Sequence, residues 1–221
     1  MINFGIIGVG TMGNGIAHVS ALSGFNTFIL DLNEDSLKRG LETIEGNLQR
    51  QVKKEKISQS EMDSALGKIK SITDYDDLSV CDVIIEAATE NQSVKEKIFT
   101  SMDSVCKTDA ILATNTSSIS ITAIAEVTSR PEKVIGMHFM NPVPIMKLVE
   151  VVRGKKTDDD TTNKVIEISK EMGKISVECN DSPGFVTNRI LMPMINEAIY
   201  CLMEGVGTKE AIDNIMQLGM S

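Results

Sequence analysis

Short apolar runs alternate along this chain with longer stretches in which apolar positions recur at helical spacing. The pattern predicts strands over residues 2–7, 25–30, 69–73, 83–86 and 110–114, separated by helices over 11–23, 34–56, 59–68, 93–105 and 122–127. Residues 134–139 and 146–152 read as two further strands joined by a turn that contains Pro142 and Pro144. A helix over 161–172 and a strand over 175–178 follow. Alternation of this kind builds an α/β architecture: a doubly wound, mostly parallel sheet with helices on both faces. After Asp181-Ser182-Pro183-Gly184 the pattern changes to a long apolar helix over 185–203 and another over 209–217. We therefore expect a sheet domain over 1–183, with a helical hairpin inserted near 34–68, and the start of an all-helical C-terminal domain over 184–221.

The first strand ends in Gly8-Val9-Gly10-Thr11-Met12-Gly13, a G-x-G-x-x-G that opens a helix within a single βαβ unit. In that setting Gly8 permits the tight turn, Gly10 lets a pyrophosphate approach the backbone, and Gly13 lets helix and strand pack closely. The helix N-terminus favours negative phosphates. Asp31 ends the second strand, where a carboxylate binds ribose hydroxyls and repels a 2′-phosphate. No arginine follows in Leu32-Asn33-Glu34-Asp35, so a Rossmann-type domain that takes NAD rather than NADP is expected. FAD is the weaker alternative, because flavoproteins use the same loop.

Composition narrows the class. A net charge of −9 and a pI of about 4.8 disfavour nonspecific binding to nucleic acid or anionic membrane. With no Trp and 4% aromatic residues the chain lacks a base-stacking platform. Cys81, Cys106, Cys179 and Cys201 are scattered, which reads as reduced, mostly buried thiols of a cytoplasmic protein. The few His and Cys residues do not cluster at ligand spacing, so no metal site is expected. The N-terminus enters the first strand directly without a secretory-type leader, and no apolar run is long enough to span a bilayer.

The chemistry concentrates near Gly136-Met137-His138-Phe139-Met140-Asn141-Pro142, since the chain holds only two histidines. Histidine trades a proton near neutral pH, and a carboxylate on its far ring nitrogen would fix its tautomer. Glu150 follows shortly and suits that part. Beside a hydride acceptor, such a base suggests a dehydrogenase. The bland alternative is a satisfied core histidine, which is how His18 reads within the first helix. Thr114-Asn115-Thr116-Ser117-Ser118 supplies hydroxyls and an amide at a strand end, or simply caps a helix. Glu90 and Lys95 either face the nicotinamide end or lie on the surface. Asn188, on an apolar helix, either faces a site or bonds a neighbouring strand. Lys53-Lys54-Glu55-Lys56 is either a solvated face or a phosphate-binding patch.

These segments in this order resemble the 3-hydroxyacyl-CoA dehydrogenases, and within them the short bacterial 3-hydroxybutyryl-CoA dehydrogenases. The likeness rests on G-V-G-T-M-G at Gly8, E-A-A-T-E-N at Glu86 and A-T-N-T-S-S at Ala113. It continues with G-M-H-F-M-N-P-V-P at Gly136, K-L-V-E-V-V at Lys147 and D-S-P-G-F-V-T-N-R at Asp181. The resemblance implies reversible, NAD-dependent oxidation of an (S)-3-hydroxyacyl-CoA to a 3-ketoacyl-CoA in fatty acid or butanoate metabolism. It makes His138 the general base and Glu150 its orienting partner. It places Ser117 and Asn188 against the substrate with Asn141 in support, and Lys54 against CoA. Asp31, Glu90, Lys95, Asn115, Ser117 and Asn141 would line the NAD site with Gly8, Gly10, Thr11, Met12 and Gly13. It also implies a homodimer through C-terminal helices, which in the family continue past the equivalent of Leu218-Gly219-Met220; here they read as cut short at Ser221. Two other readings stand beside it: a dehydrogenase of a non-CoA 3-hydroxy acid, and an NAD-binding module without turnover.

Overall fold

The computed structural model describes residues 2–31 and 33–220. Leu32, the first of the residues after Asp31 on which the preference for NAD was argued, lies outside them, as do Met1 and Ser221. Every apolar run read as a strand forms one: β1 Asn3–Ile7, β2 Asn26–Leu30, β3 Ile69–Ile72, β4 Val83–Glu86, β5 Ile111–Thr114, β6 Val134–Phe139, β7 Leu148–Arg153 and β8 Ile175–Asn180. They form one sheet in the order β3-β2-β1-β4-β5-β6-β7-β8. All neighbours run parallel except β6 and β7, which are antiparallel. The strand order reverses between β1 and β4, and the crevice at such a switch point, beyond the carboxyl ends of the strands, is where open α/β sheets bind ligands. Both β4 and β5 are buried along their whole length. That is why they read as continuous apolar runs rather than alternating ones.

The helices are α1 Thr11–Leu22, α2 Glu34–Lys53, α3 Gln59–Leu66, α4 Gln92–Val105, α5 Ile121–Ala125, α6 Asp159–Glu171, α7 Thr187–Met203 and α8 Lys209–Met220. Their starts are written in the sequence. Asn33, Asn91 and Asp158 each accept a bond from a first-turn backbone N–H, and Ser58 with Glu61 forms a capping box. The acidic run 158–160 is thus a cap followed by first-turn acids on a helix dipole. Helix α2 stops at Lys53, before the expected Lys56, because Glu55 takes a positive φ of 53° and the Lys56 amide turns back to the Gln51 carbonyl. Two 3-10 turns, Tyr75–Val80 and Pro131–Lys133, stand where the sequence shows no helical or strand period.

One apolar core joins α1, α2 and α3 to one face of the sheet through Phe4, Ile16, Ile29, Ile44, Leu48 and Phe139. Cys81 and Cys106 are buried free thiols, and burial pushes them up to about 12 and about 11, which leaves them protonated and inert. The other two cysteines, Cys179 and Cys201, are only half-buried. The chain divides into two compact units between Ser182 and Pro183. The second unit consists of α7, which contains Pro193, and α8. Among the described residues no helix is long and apolar enough to cross a membrane.

Candidate active site

The dinucleotide loop carries out the three glycine functions in measurable ways. Gly8 has φ +90°, and a Cβ there would lie 2.5 Å from the Ala88 Cα, so the β1 turn is pressed against the segment that follows β4. A Cβ on Gly13 would sit 1.8 Å from the Gly8 carbonyl oxygen. A Cβ on Gly10 would meet nothing within 4 Å, so the space that glycine leaves is open for a ligand. Gly10 is the N-cap of α1 and supplies no side-chain cap, in contrast with the other long helices of this unit. The first-turn amides, including those of Thr11 and Met12, therefore suit a pyrophosphate. Asp31 closes the loop from β2: one carboxylate oxygen accepts the Val9 amide at 3.2 Å and the other accepts the Asn33 amide at 3.2 Å. These residues fit NAD.

Moving across the strand ends, Glu90 accepts the Thr116 hydroxyl at 2.6 Å and the Ser117 amide at 3.0 Å. It ties the segment after β4 to the one after β5. Asn115 is buried, and its side-chain oxygen accepts the Phe139 amide at 2.9 Å. That side-chain carbonyl is committed to holding β6 against β5. Lys95 is not on the surface. It is 1% exposed, and its ammonium donates to Glu86 at 2.5 Å and Thr114 at 3.2 Å.

His138 on β6 faces Glu150 on β7 in direct antiparallel register. Opposed residues in such a pair bring their Cβ atoms to about 5 Å, and here Nδ1 of His138 lies 2.7 Å from Oε2 of Glu150. Their neighbours Met137, Phe139, Val149 and Val151 join the core on one face, so strand alternation turns the His–Glu pair to the other. Both are buried, His138 at 7% and Glu150 at 3% exposure. With a carboxylate accepting from Nδ1, the imidazole lone pair that accepts a proton resides on Nε2.

Asn141 is exposed in the connection from β6 to β7. Lys174 pins that connection by donating to the Val143 and Met146 carbonyls, and burial lowers its pKa. A cavity of about 780 Å³ opens beside it, lined by Arg50, Lys54, Lys56, Lys147 and Lys174 together with Pro144. Lys54 reaches it from the tip of the helical hairpin as the cap of α2. Asn188 lies in the first turn of α7, in the second unit. Asp181, which the sequence offered only as part of a boundary, accepts the Ser120 hydroxyl at 2.7 Å and the Thr122 amide at 2.9 Å. Burial works against its carboxylate, but these bonds outweigh that and hold its pKa below the usual value. An aspartate next to a Ser-Pro-Gly turn was the available signal.

Comparison with known proteins identifies the family. Residues 3–182 match the 3-hydroxyacyl-CoA dehydrogenase NAD-binding domain, and residues 184–221 match the C-terminal domain of the same enzymes. The chain belongs to the 3-hydroxyacyl-CoA dehydrogenase family. It is 50% identical to a probable 3-hydroxybutyryl-CoA dehydrogenase of Deinococcus radiodurans, across 100% of this chain and 79% of that protein. It is 53% identical to a 3-hydroxybutyryl-CoA dehydrogenase of Bradyrhizobium diazoefficiens, across 97% of this chain and 73% of that one. The crystal structure of (S)-3-hydroxybutyryl-CoA dehydrogenase from Ralstonia eutropha superposes with a TM-score of 0.96 at 49% identity, covering 99% of this chain and 77% of that chain. As a 3-hydroxyacyl-CoA dehydrogenase, the protein is an NAD-dependent oxidoreductase. The glycine loop and Asp31 lie within the span that matches the NAD-binding domain.

Proposed function

We propose that this dehydrogenase acts on a short (S)-3-hydroxyacyl-CoA, with 3-hydroxybutyryl-CoA the preferred size, and that His138 is its general base. The observation that carries the reading is the 2.7 Å bond between His138 and Glu150 across the β6–β7 register. Glu150 holds Nδ1–H and stabilises the imidazolium that forms when Nε2 takes the hydroxyl proton. Bound NAD supplies the acceptor for the hydride leaving the same carbon. Ser117 holds the substrate oxygen near His138, and Asn141 supports it. Run in reverse, His138 returns its proton to the 3-keto oxygen.

The basic cavity beside Lys54 supports a CoA thioester over a free acid. A chain of net charge −9 that gathers Arg50, Lys54, Lys56, Lys147 and Lys174 around one cleft, against a single carboxylate at Glu171, favours a polyanionic ligand there. The test is NADH oxidation with acetoacetyl-CoA against free acetoacetate. We expect a kcat/KM for the thioester at least roughly a hundredfold higher, the scale of two to three lost charge-assisted contacts. A Lys54→Glu variant should narrow that gap through KM. Equal use of both compounds would favour a non-CoA 3-hydroxy acid, and NADH binding without turnover of either would favour a nucleotide-binding module.

The reading also takes the enzyme as a cytoplasmic homodimer that pairs through its C-terminal helices. Exposed apolar side chains along α7 and α8, among them Ile190, Met192, Ile199 and Leu218, support such pairing.

A further inference from the structure

Glu86 ends β4 and stands in register with Ile7, the last residue of β1, and Thr114, the last residue of β5. It therefore occupies the middle of the switch point, directly below the crevice. Its side chain is 0% exposed and fully engaged. One carboxylate oxygen accepts the Ala88 amide at 2.8 Å. The other accepts Lys95 at 2.5 Å and the Thr114 hydroxyl at 2.8 Å. Desolvating an ammonium and a carboxylate costs several kcal/mol each, and well-packed apolar residues in place of such a pair are often as stable or more so. Packing alone does not account for a fully buried ion pair at this place.

Its position does. Asp31 at the end of β2 marks the adenosine side of the crevice, and His138 on β6 marks the reactive side. A dinucleotide that spans them crosses the ends of β1, β4 and β5, with its nicotinamide on the β4–β6 side. The oxidised ring is a cation and the reduced ring is neutral. A lone Lys95 ammonium under it would oppose the oxidised form, and a lone Glu86 carboxylate would favour it. We propose that Glu86 is a positioning residue whose bond to Lys95 sets the charge beneath the nicotinamide and so sets the relative affinity for NAD+ and NADH. This rests on His138 marking the reactive end, but it concerns binding alone.

The test is therefore a binding measurement that needs no turnover and no intact base. The chain has no Trp, so NADH can be titrated by its own fluorescence and NAD+ by competition. In Glu86→Gln the ratio Kd(NAD+)/Kd(NADH) should rise roughly tenfold, the scale of one uncompensated charge several ångströms away at protein-like screening. In Lys95→Met the same ratio should fall below the wild-type value. The double variant Glu86→Gln/Lys95→Met should return it to within about twofold of wild type. Thr114→Val, which removes a bridging hydroxyl but no charge, should leave the ratio unchanged even if both affinities weaken. A structural role alone would move both Kd values together, so an unchanged ratio in the single variants overturns the proposal, as does a shift of the same sign in both. Either single charge variant that folds decides the matter, because the two have opposite expected shifts; the double variant then checks that the shifts cancel. Wild-type turnover in His138 variants with these ratios as expected would leave the proposal standing, and lost turnover there with unchanged ratios in the charge variants would leave the base assignment standing.

Discussion

At the scale of single residues, the Gly8–Gly13 turn separates a packing demand from the proposed cofactor demand. Gly13 is required by packing, because a methyl group 1.8 Å from the Gly8 carbonyl cannot be accommodated without moving the turn. Gly10 is not, since a Cβ there meets no protein atom within 4 Å. Gly10→Ala should therefore leave the Tm within a degree or two of wild type while weakening NADH binding by roughly tenfold or more, because the methyl enters the space the pyrophosphate needs. Gly13→Ala should lower both Tm and affinity. Thermal unfolding with NADH titration checks the pair; a Gly10→Ala protein that binds NADH normally would remove the pyrophosphate from that space. The turn at Gly8 and the close packing at Gly13 were legible from spacing alone, as was the candidate pairing of His138 with Glu150. Lys95 was not. Its charge argued for the surface or a ligand, and its partner Glu86 is a strand residue whose burial only the sheet order explains.

At the scale of elements, the site depends on how β6 is held. Asn115 follows β5 and bonds the Phe139 amide, next to His138. Asn115→Ala would leave that buried amide unsatisfied. We expect a loss of about 1–3 kcal/mol in stability and a kcat reduction larger than any change in NADH affinity. Urea unfolding and a kcat against Kd comparison test this, and full activity with full stability would show the link to be idle. The strands were readable because burial on both faces leaves unbroken apolar runs, and the helices because their caps are standard Asn, Ser and Asp positions. The 3-10 turn over Tyr75–Val80 escaped notice because its one buried residue, Leu78, sets no period. The end of α2 was overrun because Lys-Lys-Glu-Lys carries good helix formers into a turn that Glu55 closes with a positive φ.

At the scale of the whole molecule, stability should depend on pH through His18. This histidine is buried in α1, and burial, aided by Lys174, lowers its pKa from 6.5 to about 4; the nearby Gln51 amide offsets this only in part, making no bond of normal geometry to either ring nitrogen. The unfolded chain then takes up a proton before the folded one does as pH falls. The contribution of neutral His18 is complete above about pH 6.5 and is lost between there and about 4. At about 1.4 kcal/mol per pKa unit, the loss is on the order of 3 kcal/mol. Denaturation midpoints at pH 7 and 4.5 should differ more for wild type than for His18→Gln, and equal pH dependence in the two would contradict the assignment. The acidic surface adds its own pH response in both proteins, so the difference between them is the quantity to read.

The proposed mechanism turns on His138, held by Glu150, moving the proton. The most direct measurement is the kcat of His138→Gln with acetoacetyl-CoA and NADH, alongside the Kd for NADH. We expect a kcat lower by roughly 10²–10⁴-fold, the usual worth of a general acid–base group, with NADH binding within about twofold of wild type. A variant that keeps wild-type turnover while it binds NADH normally would contradict it.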